Sequence, residues 1–275
     1  MKPARFDFVR GETLAEIHAV LANEGEEARI IAGGQTLVPM LSMRLARPRV
    51  LVDIMGIPEL AQITILGDAV RIGAAVRQAE LLAWPELSAR QPLLAMALPW
   101  VGHAQTRTRG TVCGSVAHAD PSAEIPLALL ALRGMIEMSS RQGSRRVSAE
   151  AFFTGMMSTA RRDDELIEAI DIPRRSTGQG FAFREFGRRH GDFAIVACAA
   201  VADAAGVRIA VGGVADTPIA RDLPDIDGTG LDDALNSLAW DLDARDDLHA
   251  TPNYRRNLVR QLGRLTIEEA RQCRA

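Results

Sequence analysis

Apolar residues in the first two thirds of the chain recur with two different spacings. Short β-branched runs predict buried strands, whereas segments in which apolar residues return every three or four positions predict amphipathic helices. The first helix is the most clearly defined, because Thr13 and Glu16 form a capping box and Gly25 provides a stop. This alternation of strands and helices indicates an α/β domain. The predicted strands are 30–32, 50–54, 69–74, 135–138, 145–147 and 166–172, and the other predicted helices are 76–84, 93–100 and 123–132.

The pattern changes after a polar, glycine-containing stretch at 174–180. Strand candidates now follow one another directly, and the helical patterns come late, which is typical of an α+β domain. We therefore predict an α+β chain with two domains: residues 1–175, made of two α/β subdomains, and residues 176–275, with a three-stranded sheet and helices. The three strand candidates are 181–183, 195–202 and 207–211, and the late helices are 231–238 and 255–265.

Two loops of small residues carry the candidate chemistry. The first, 33–36, follows a β-branched run and places two glycines before a glutamine and a threonine. The second, 110–115, leads to Asp120 and Pro121, which are typical of an N-cap and a first helical residue. Small side chains let a ligand approach main-chain N–H groups, so two such loops could hold the two phosphates of a diphosphate. Neither loop has the spacing of a Rossmann or P-loop nucleotide site.

Composition and charge argue against several classes of protein. The net charge of −3 provides no basic surface for nucleic acid. The three cysteines, Cys113, Cys198 and Cys273, form neither a disulfide framework nor a metal-ligand set. No apolar run reaches membrane-spanning length, and the N-terminus lacks a signal pattern. We expect a cytoplasmic protein with no metal site, no nucleic-acid partner and no membrane insertion.

Five motifs follow one another along the chain. They are 32–36 with 45–48 and 51–54 behind it, 109–115 followed by 119–121, 164–173, 188–194, and 247–256. Their order and spacing resemble the FAD-binding middle subunit of molybdenum hydroxylases, the family of the carbon monoxide dehydrogenase and xanthine dehydrogenase types. The resemblance covers essentially the whole chain.

The resemblance implies FAD as cofactor. It also implies an N-terminal FAD-binding domain of the vanillyl-alcohol-oxidase/p-cresol-methylhydroxylase type and a C-terminal domain of the carbon monoxide dehydrogenase flavoprotein type. It implies neither a catalytic residue nor a metal ligand in this chain. The implied FAD contacts are Ala32, Gly33, Gly34, Gln35, Thr36, Thr111, Val112, Cys113, Gly114, Ser115, Glu124, Ile167, Arg184, Asp192 and Phe193.

Several of these positions have a second interpretation. Cys113 stands where the family usually has glycine, and a positive φ there would cost a side chain roughly 1–2 kcal/mol, or about tenfold in affinity. Glu124 replaces an aspartate and could accept hydrogen bonds from the flavin or simply favour a helix start. Arg184 replaces a family lysine and could instead be a solvated strand residue. Ile167 and Phe193 would lie against the flavin ring or pack in the core.

The implied function is electron transfer. FAD would accept reducing equivalents from iron–sulfur centres on a partner and pass them to an external acceptor. The implied partners are a large molybdopterin subunit and a small iron–sulfur subunit, arranged as a dimer of heterotrimers. Two alternatives stay open: a flavin-free assembly subunit of the same fold, and a thiol hydrolase that uses Cys113 with His118 and Asp120. The large subunit would select the substrate, so carbon monoxide, a purine and an N-heterocycle are not distinguished here.

Overall fold

The computed structural model describes residues 2–274, which form three main β-sheets with helices packed between and around them. The first sheet is parallel and has the strand order β1-β3-β2. Its central strand is buried along most of its length, as expected from its uninterrupted apolar sequence. The elements of this part are β1 (Asp7–Arg10), α1 (Leu14–Glu24), β2 (Ala28–Ile31), α2 (Leu37–Ser42) and β3 (Val50–Asp53).

Helix α1 shows how local sequence fixes an element. The Thr13 hydroxyl accepts a hydrogen bond from the Glu16 N–H at 3.3 Å, and Gly25 ends the helix with φ of 51°. The Glu16 carboxylate bonds to the N–H of Glu12 rather than to that of Thr13, so the reciprocal half of the predicted capping box is shifted by one residue. The predicted helix is confirmed, and its apolar face is buried against the first and second sheets.

The second sheet is antiparallel, with the order β4-β5-β10-β6-β7. The strands predicted at 135–138 and 145–147 are confirmed, and they form a hairpin in which β6 and β7 pair directly and are joined by a tight turn. A separate two-stranded hairpin follows it. The strands are β4 (Ile63–Leu66), β5 (Ala69–Gly73), β6 (Met135–Ser140), β7 (Gly143–Ser148), β8 (Phe153–Gly155), β9 (Ser158–Thr159) and β10 (Leu166–Pro173).

Short helices fill the space between this sheet and the third one. The two predicted helices at 76–84 and 93–100 are both shorter than expected, because Pro85 follows the first and Pro99 interrupts the second. Every residue of α8 is buried, which explains why its sequence is apolar on all sides. The helices are α3 (Gln78–Ala83), α4 (Leu87–Arg90), α5 (Pro92–Ala97), α6 (Ala104–Arg107), α7 (Val112–His118), α8 (Glu124–Ala131) and α9 (Ala149–Phe152).

The third sheet has four antiparallel strands, so the prediction of three strands is wrong. The missed strand is Ile219–Leu223, which is short and polar and lacks a local β pattern. Its pairing with the neighbouring strand defines it, and Asp222 forms an ion pair with Arg208 across that pairing. The elements are β11 (Gly180–Phe186), β12 (Val196–Asp203), β13 (Gly206–Gly212), β14 (Ile219–Leu223), α10 (Gly228–Asp241) and α11 (Pro252–Gln272), in the strand order β11-β12-β13-β14.

The third sheet has an apolar layer on each face. On one face, Phe181 and Phe183 belong to the large core that contains α8. On the other face, Ala182 and Cys198 join a second core with α10 and α11. Strand β12, which lies inside this sheet, is therefore buried on both sides. Within residues 2–274, no helix is both long and apolar enough to cross a membrane.

Glu165, in the loop before β10, is a buried carboxylate that accepts several hydrogen bonds. Arg145 donates to it at 2.6 and 2.8 Å, and the Arg162 N–H donates at 2.7 Å. Burial alone would raise the pKa of Glu165, but these donors outweigh that effect and lower the pKa to about 2. The carboxylate therefore adds stability above its ordinary pKa, and this stability disappears as the pH falls toward 2.

We accordingly expect Glu165→Gln to lower the free energy of unfolding at pH 7 by about 3 kcal/mol, the usual size of a lost buried ion pair. Urea denaturation would measure this. The difference from the wild type should shrink as the pH falls from about 5 to about 2, because the wild-type carboxylate is then protonated. Asp163→Asn, in the same loop but exposed, should change stability by less than about 0.5 kcal/mol. A pH-independent difference would contradict this interpretation.

Candidate functional site

The two glycine-containing loops lie against each other. A Cβ atom added to Gly33 would lie 2.2 Å from the carbonyl oxygen of Arg109 and 2.6 Å from the Cα of Gly110. Both neighbours are backbone atoms, so only glycine fits at position 33 without a shift of one loop. The expectation that the loops share one place in the fold is confirmed.

The first loop presents a run of unpaired amide groups. It leaves β2 at Ile31 and turns through Gly34, whose φ of 68° is in the left-handed region. Within the part of the chain that the structure describes, the backbone N–H groups of 33–36 donate to no protein acceptor. The side chain of Gln35 bonds back to the carbonyl of Gly33 at 3.1 Å. Successive free N–H groups on one curved segment form an anion-binding nest.

Most of the second motif is a helix rather than the expected loop. Helix α7 starts at Val112, and Thr111 caps it by accepting a hydrogen bond from the Gly114 N–H at 3.0 Å. Asp120 does not cap α8 as predicted, because it accepts from the Ser122 N–H at 2.8 Å while α8 begins later. Gly114 and Ser115 lie inside α7, and their low helix propensity explains why the sequence pattern predicts a loop here.

Gln78 is a residue of this site that the sequence did not indicate. It is 4% exposed, and its backbone N–H donates to the carbonyl of Gly110 at 2.8 Å. Its side-chain nitrogen reaches the carbonyl of Thr111 at 3.4 Å, but its Oε1 has no donor. A buried acceptor without a partner beside the second motif suits a ligand that carries hydroxyl or amino groups as well as phosphates. The residues present therefore fit a nucleotide such as FAD.

Cys113 is buried in the first turn of α7. Its thiol contacts the carbonyl oxygen of Ile72 at 3.5 Å, and burial raises its pKa to about 12. The backbone φ of Cys113 is not positive, so the conformational cost expected for a side chain at this position does not arise. His118 lies five positions further along the same helix, which points its side chain away from the thiol, and Asp120 is bonded elsewhere. This arrangement argues against a nucleophilic role.

Glu124 is the first residue of α8 and is 4% exposed. Burial raises its pKa to about 7, and the nearby charge of Asp120 adds to this, whereas Arg107 opposes it. Glu185 on β11 has a pKa raised to about 8, first by burial and then by the charge of Glu124. No sequence motif indicates Glu185, although strand alternation puts it on the same face as Phe183.

Three of the remaining predicted contacts lie in different surroundings. Ile167 is buried on β10 at an irregularity of the strand pairing. Arg184 pairs with Glu269 of α11 at 2.8 Å, so the structure places it on the sheet face opposite to α8 and away from the loops. Phe193 is 62% exposed, which excludes the alternative of core packing.

Asp192 and Phe193 belong to the segment 187–194, which lies against the chain leading to the second motif. A Cβ on Gly191, where φ is 88°, would lie 2.6 Å from the ring of His103. The His190 ring stacks near Trp100, with centroids 5.0 Å apart. Within residues 2–274, no group of three or more His, Cys, Asp or Glu side chains could hold a metal ion.

Comparisons with known proteins identify the family of the chain. Residues 4–175 match the family described as "FAD binding domain in molybdopterin dehydrogenase". The chain is 36% identical to the 6-hydroxypseudooxynicotine dehydrogenase complex subunit alpha of Paenarthrobacter nicotinovorans, over 98% of this chain and 96% of that protein. It is 38% identical to the nicotine 6-hydroxylase medium subunit of the same organism, over 91% and 92% of the two chains.

A solved structure gives the same result. The structure described as reconstituted CO dehydrogenase from Oligotropha carboxidovorans contains a chain that is similar to this one over 100% of both, with a TM-score of 0.95 and 31% identity. The predicted family and the predicted FAD cofactor are confirmed. The individual FAD contacts stay predictions.

The contact between the loops predicts the effect of a single methyl group. Gly33→Ala would force Arg109 and Gly110 to move, because a backbone clash cannot be relieved by rotating a side chain. We expect FAD binding to weaken at least about tenfold, equivalent to about 1.4 kcal/mol, measured by titrating FAD into deflavinated protein. Gly230→Ala is the control, since its Cβ would make an ordinary contact of 3.7 Å with Ile226. Equal affinities of the two variants would argue against the site.

Burial of Cys113 also gives a testable result. At pH 8 a thiol with a pKa near 12 is a thiolate in only about one molecule in ten thousand, and Cys198 is buried in the same way. Iodoacetamide should therefore label the exposed Cys273 of the folded protein and reach the other two cysteines only in urea. Peptide mass spectrometry would show this. Labelling of native Cys113 as fast as Cys273 would revive the hydrolase alternative.

Proposed function

This chain belongs to the family of FAD-binding medium subunits of molybdenum-containing hydroxylases and dehydrogenases, and on that premise we propose where its FAD lies and how its residues hold it. The observation that carries the proposal is the backbone contact between the two loops at Gly33 and Gly110. The proposed contacts do not include Arg184, which faces α11. They are Ala32, Gly33, Gly34, Gln35, Thr36, Thr111, Val112, Cys113, Gly114, Ser115, Glu124, Ile167, Asp192 and Phe193, with Gln78 added.

The first loop would bind the diphosphate through its amides. Within the described residues, the N–H groups of 33–36 have no protein acceptor, so they are available to donate to a negatively charged phosphate oxygen in place of water. The hydroxyls of Thr36 and Ser115 add donors. The Thr111 oxygen already accepts from Gly114, so its proton is free to donate to the ligand.

The buried acceptors would orient the rest of the ligand. Gln78 Oε1 can accept from a hydroxyl or amino group beside Gly110, and the two carboxyl groups of Glu124 and Glu185 lie where α8 meets the third sheet. Because their pKa values are raised to about 7 and about 8, both groups can hold or release a proton near neutral pH. Phe193 offers an exposed aromatic face that can cover part of a planar ring.

The chain is the flavin-carrying, electron-transferring subunit of a molybdenum-dependent oxidoreductase. Bound FAD supplies the exchange of electrons between iron–sulfur centres of a partner subunit and an external acceptor. The protein's part is to fix the flavin and set the polarity around it. A large molybdopterin subunit and a small iron–sulfur subunit are the partners. The alternative of a flavin-free assembly subunit is not favoured, because residues 4–175 match a family of FAD-binding domains.

We further propose the finer organisation. The sequence passes from the second sheet to the third at 174–179, which supports an FAD-binding domain at 1–175 and a C-terminal domain at 176–275. The vanillyl-alcohol-oxidase/p-cresol-methylhydroxylase type for the first domain and a dimer of heterotrimers rest on the sequence resemblance. The cytoplasmic location stays a prediction.

A test separates diphosphate binding from ring binding. Ser115→Ala removes one donor to a charged group, for which a loss of about 1.5 kcal/mol or more is usual, so FAD should bind at least about tenfold more weakly. Riboflavin, which has no phosphate, should bind the wild type and this variant equally well. Calorimetric titration of both ligands into deflavinated full-length chain would measure the affinities. Wild-type protein that is colourless and has no affinity for FAD would refute the proposal.

A further inference from the structure

Arg255, on the first turn of α11, is buried far from the two glycine-containing loops. It is only 2% exposed and is the largest fully buried side chain of the described residues. Its position is set by the helix start, where Thr251 caps α11 through the Tyr254 N–H. A buried guanidinium is unusual because it carries five donors and a permanent charge, all of which need partners.

The Arg255 guanidinium donates hydrogen bonds to three separate segments of backbone. Its Nη1 donates to the carbonyl oxygens of Ile195 and Gly213, each at 2.7 Å. Its Nε donates to the carbonyl of Arg245 at 3.2 Å, and its Nη2 pairs with Asp247 at 2.5 Å. Burial alone would raise the pKa of Asp247, but bonds from the His249 and Ala250 N–H groups and from Arg255 lower it, so the pair is charged.

Ile195 directly follows the segment 187–194, which contains Phe193, the residue proposed to cover the flavin. Its N–H donates to the carbonyl of Phe186 at 2.8 Å, which makes it the base of 187–194, while its own carbonyl is held by Arg255. Gly213, with φ of 79°, packs so closely that a Cβ there would lie 2.8 Å from the carbonyl oxygens of Ala194 and Ile195. The end of the segment is thus fixed from both sides.

The same cluster reaches the start of α8. The Gly213 N–H donates to the carbonyl of Pro121 at 2.7 Å, three residues before Glu124. The other end of the segment 187–194 rests on His103 through Gly191. Arg255 therefore connects the end of the segment that contains Phe193 to the turn at Gly213, which is bonded to the chain just before α8.

We infer that Arg255 is a positioning residue, whose four hydrogen bonds hold the segment 187–194 in the place from which Phe193 covers the flavin. This inference rests on the proposed function for the location of the flavin. Arg255 acts only through the backbone of Ile195 and Gly213 and does not itself reach the ligand. A lysine cannot replace it, because a single ammonium group cannot bond to four acceptors that lie in different directions.

The first measurement is hydrogen–deuterium exchange in the full-length chain without flavin. In Arg255→Lys we expect peptides that cover 187–196 to exchange about tenfold faster, since local opening controls exchange of such segments, while peptides of the first sheet are unchanged. The control is Arg256→Lys, the next residue of the same helix, whose guanidinium lies over the Trp240 ring, 4.6 Å from its centroid. Equal exchange in the two folded variants would overturn the inference.

Asp247→Asn covers the case in which Arg255→Lys does not fold. It keeps the three bonds to carbonyls but weakens the fourth, so exchange at 187–196 should rise by a smaller factor. No rise in this variant would overturn the inference. Wild-type protein that binds no FAD would instead refute the proposed function, and the exchange result would still decide whether Arg255 orders the segment.

The second measurement uses the FAD-loaded chain and reports on the cover itself. Quenching of flavin fluorescence by iodide should increase at least about twofold in Phe193→Ala, because the ring loses its aromatic cover. Arg255→Lys should increase it similarly, and the double variant should give no further increase, since both changes remove the same cover. Additive effects would show that Arg255 acts on general stability and would overturn the inference, as would quenching in Arg255→Lys equal to that in Arg256→Lys.

Discussion

The site depends on a contact between two stretches of backbone. At Gly33 the first loop touches the carbonyl of Arg109 and the Cα of Gly110 with no side chain between them. Such a contact fixes both loops more strictly than side-chain packing does, because backbone atoms have no rotamers with which to adjust. In the same loop, the N–H groups of 33–36 have no acceptor among the described residues, so close approach and unpaired amides occur together.

The third sheet packs directly against elements of the candidate site. One of its faces packs on α8, and the turn at Gly213 bonds to Pro121 just before that helix begins. The opposite face is covered by α10 and α11. Arg255 comes from this outer layer and bonds to backbone at the inner edge of the sheet. Helix α11 is thus bonded through Arg255 to the two turns that border the segment 187–194 and the start of α8.

Sequence patterns predicted the elements that local interactions define and missed those that depend on distant pairing. Helix α1 was predicted because its cap and its stop are adjacent in sequence. Strand β14 was missed because only its pairing with β13 makes it a strand. Gly114 and Ser115 weaken the helical pattern of α7, so the sequence predicts a loop there, and the orientation of Arg184 depends on which helix covers that face of the sheet. The first glycine loop is predictable, because two adjacent glycines after a β-branched run indicate a turn.

Unpaired polar atoms mark the site more clearly than any motif does. Glu165 is a buried carboxylate with a full set of donors, and its low pKa shows that the fold is stabilised by its charge. Glu185 is the reverse: its raised pKa means that its charge opposes folding as the pH rises. Within residues 2–274, the buried side-chain oxygens with neither a hydrogen bond nor an ion pair are Gln78 Oε1 and Glu185 Oε2. Since the other buried side-chain oxygens of the described residues have partners, these two, together with the free amides of 33–36, are the groups that a polar ligand would complete.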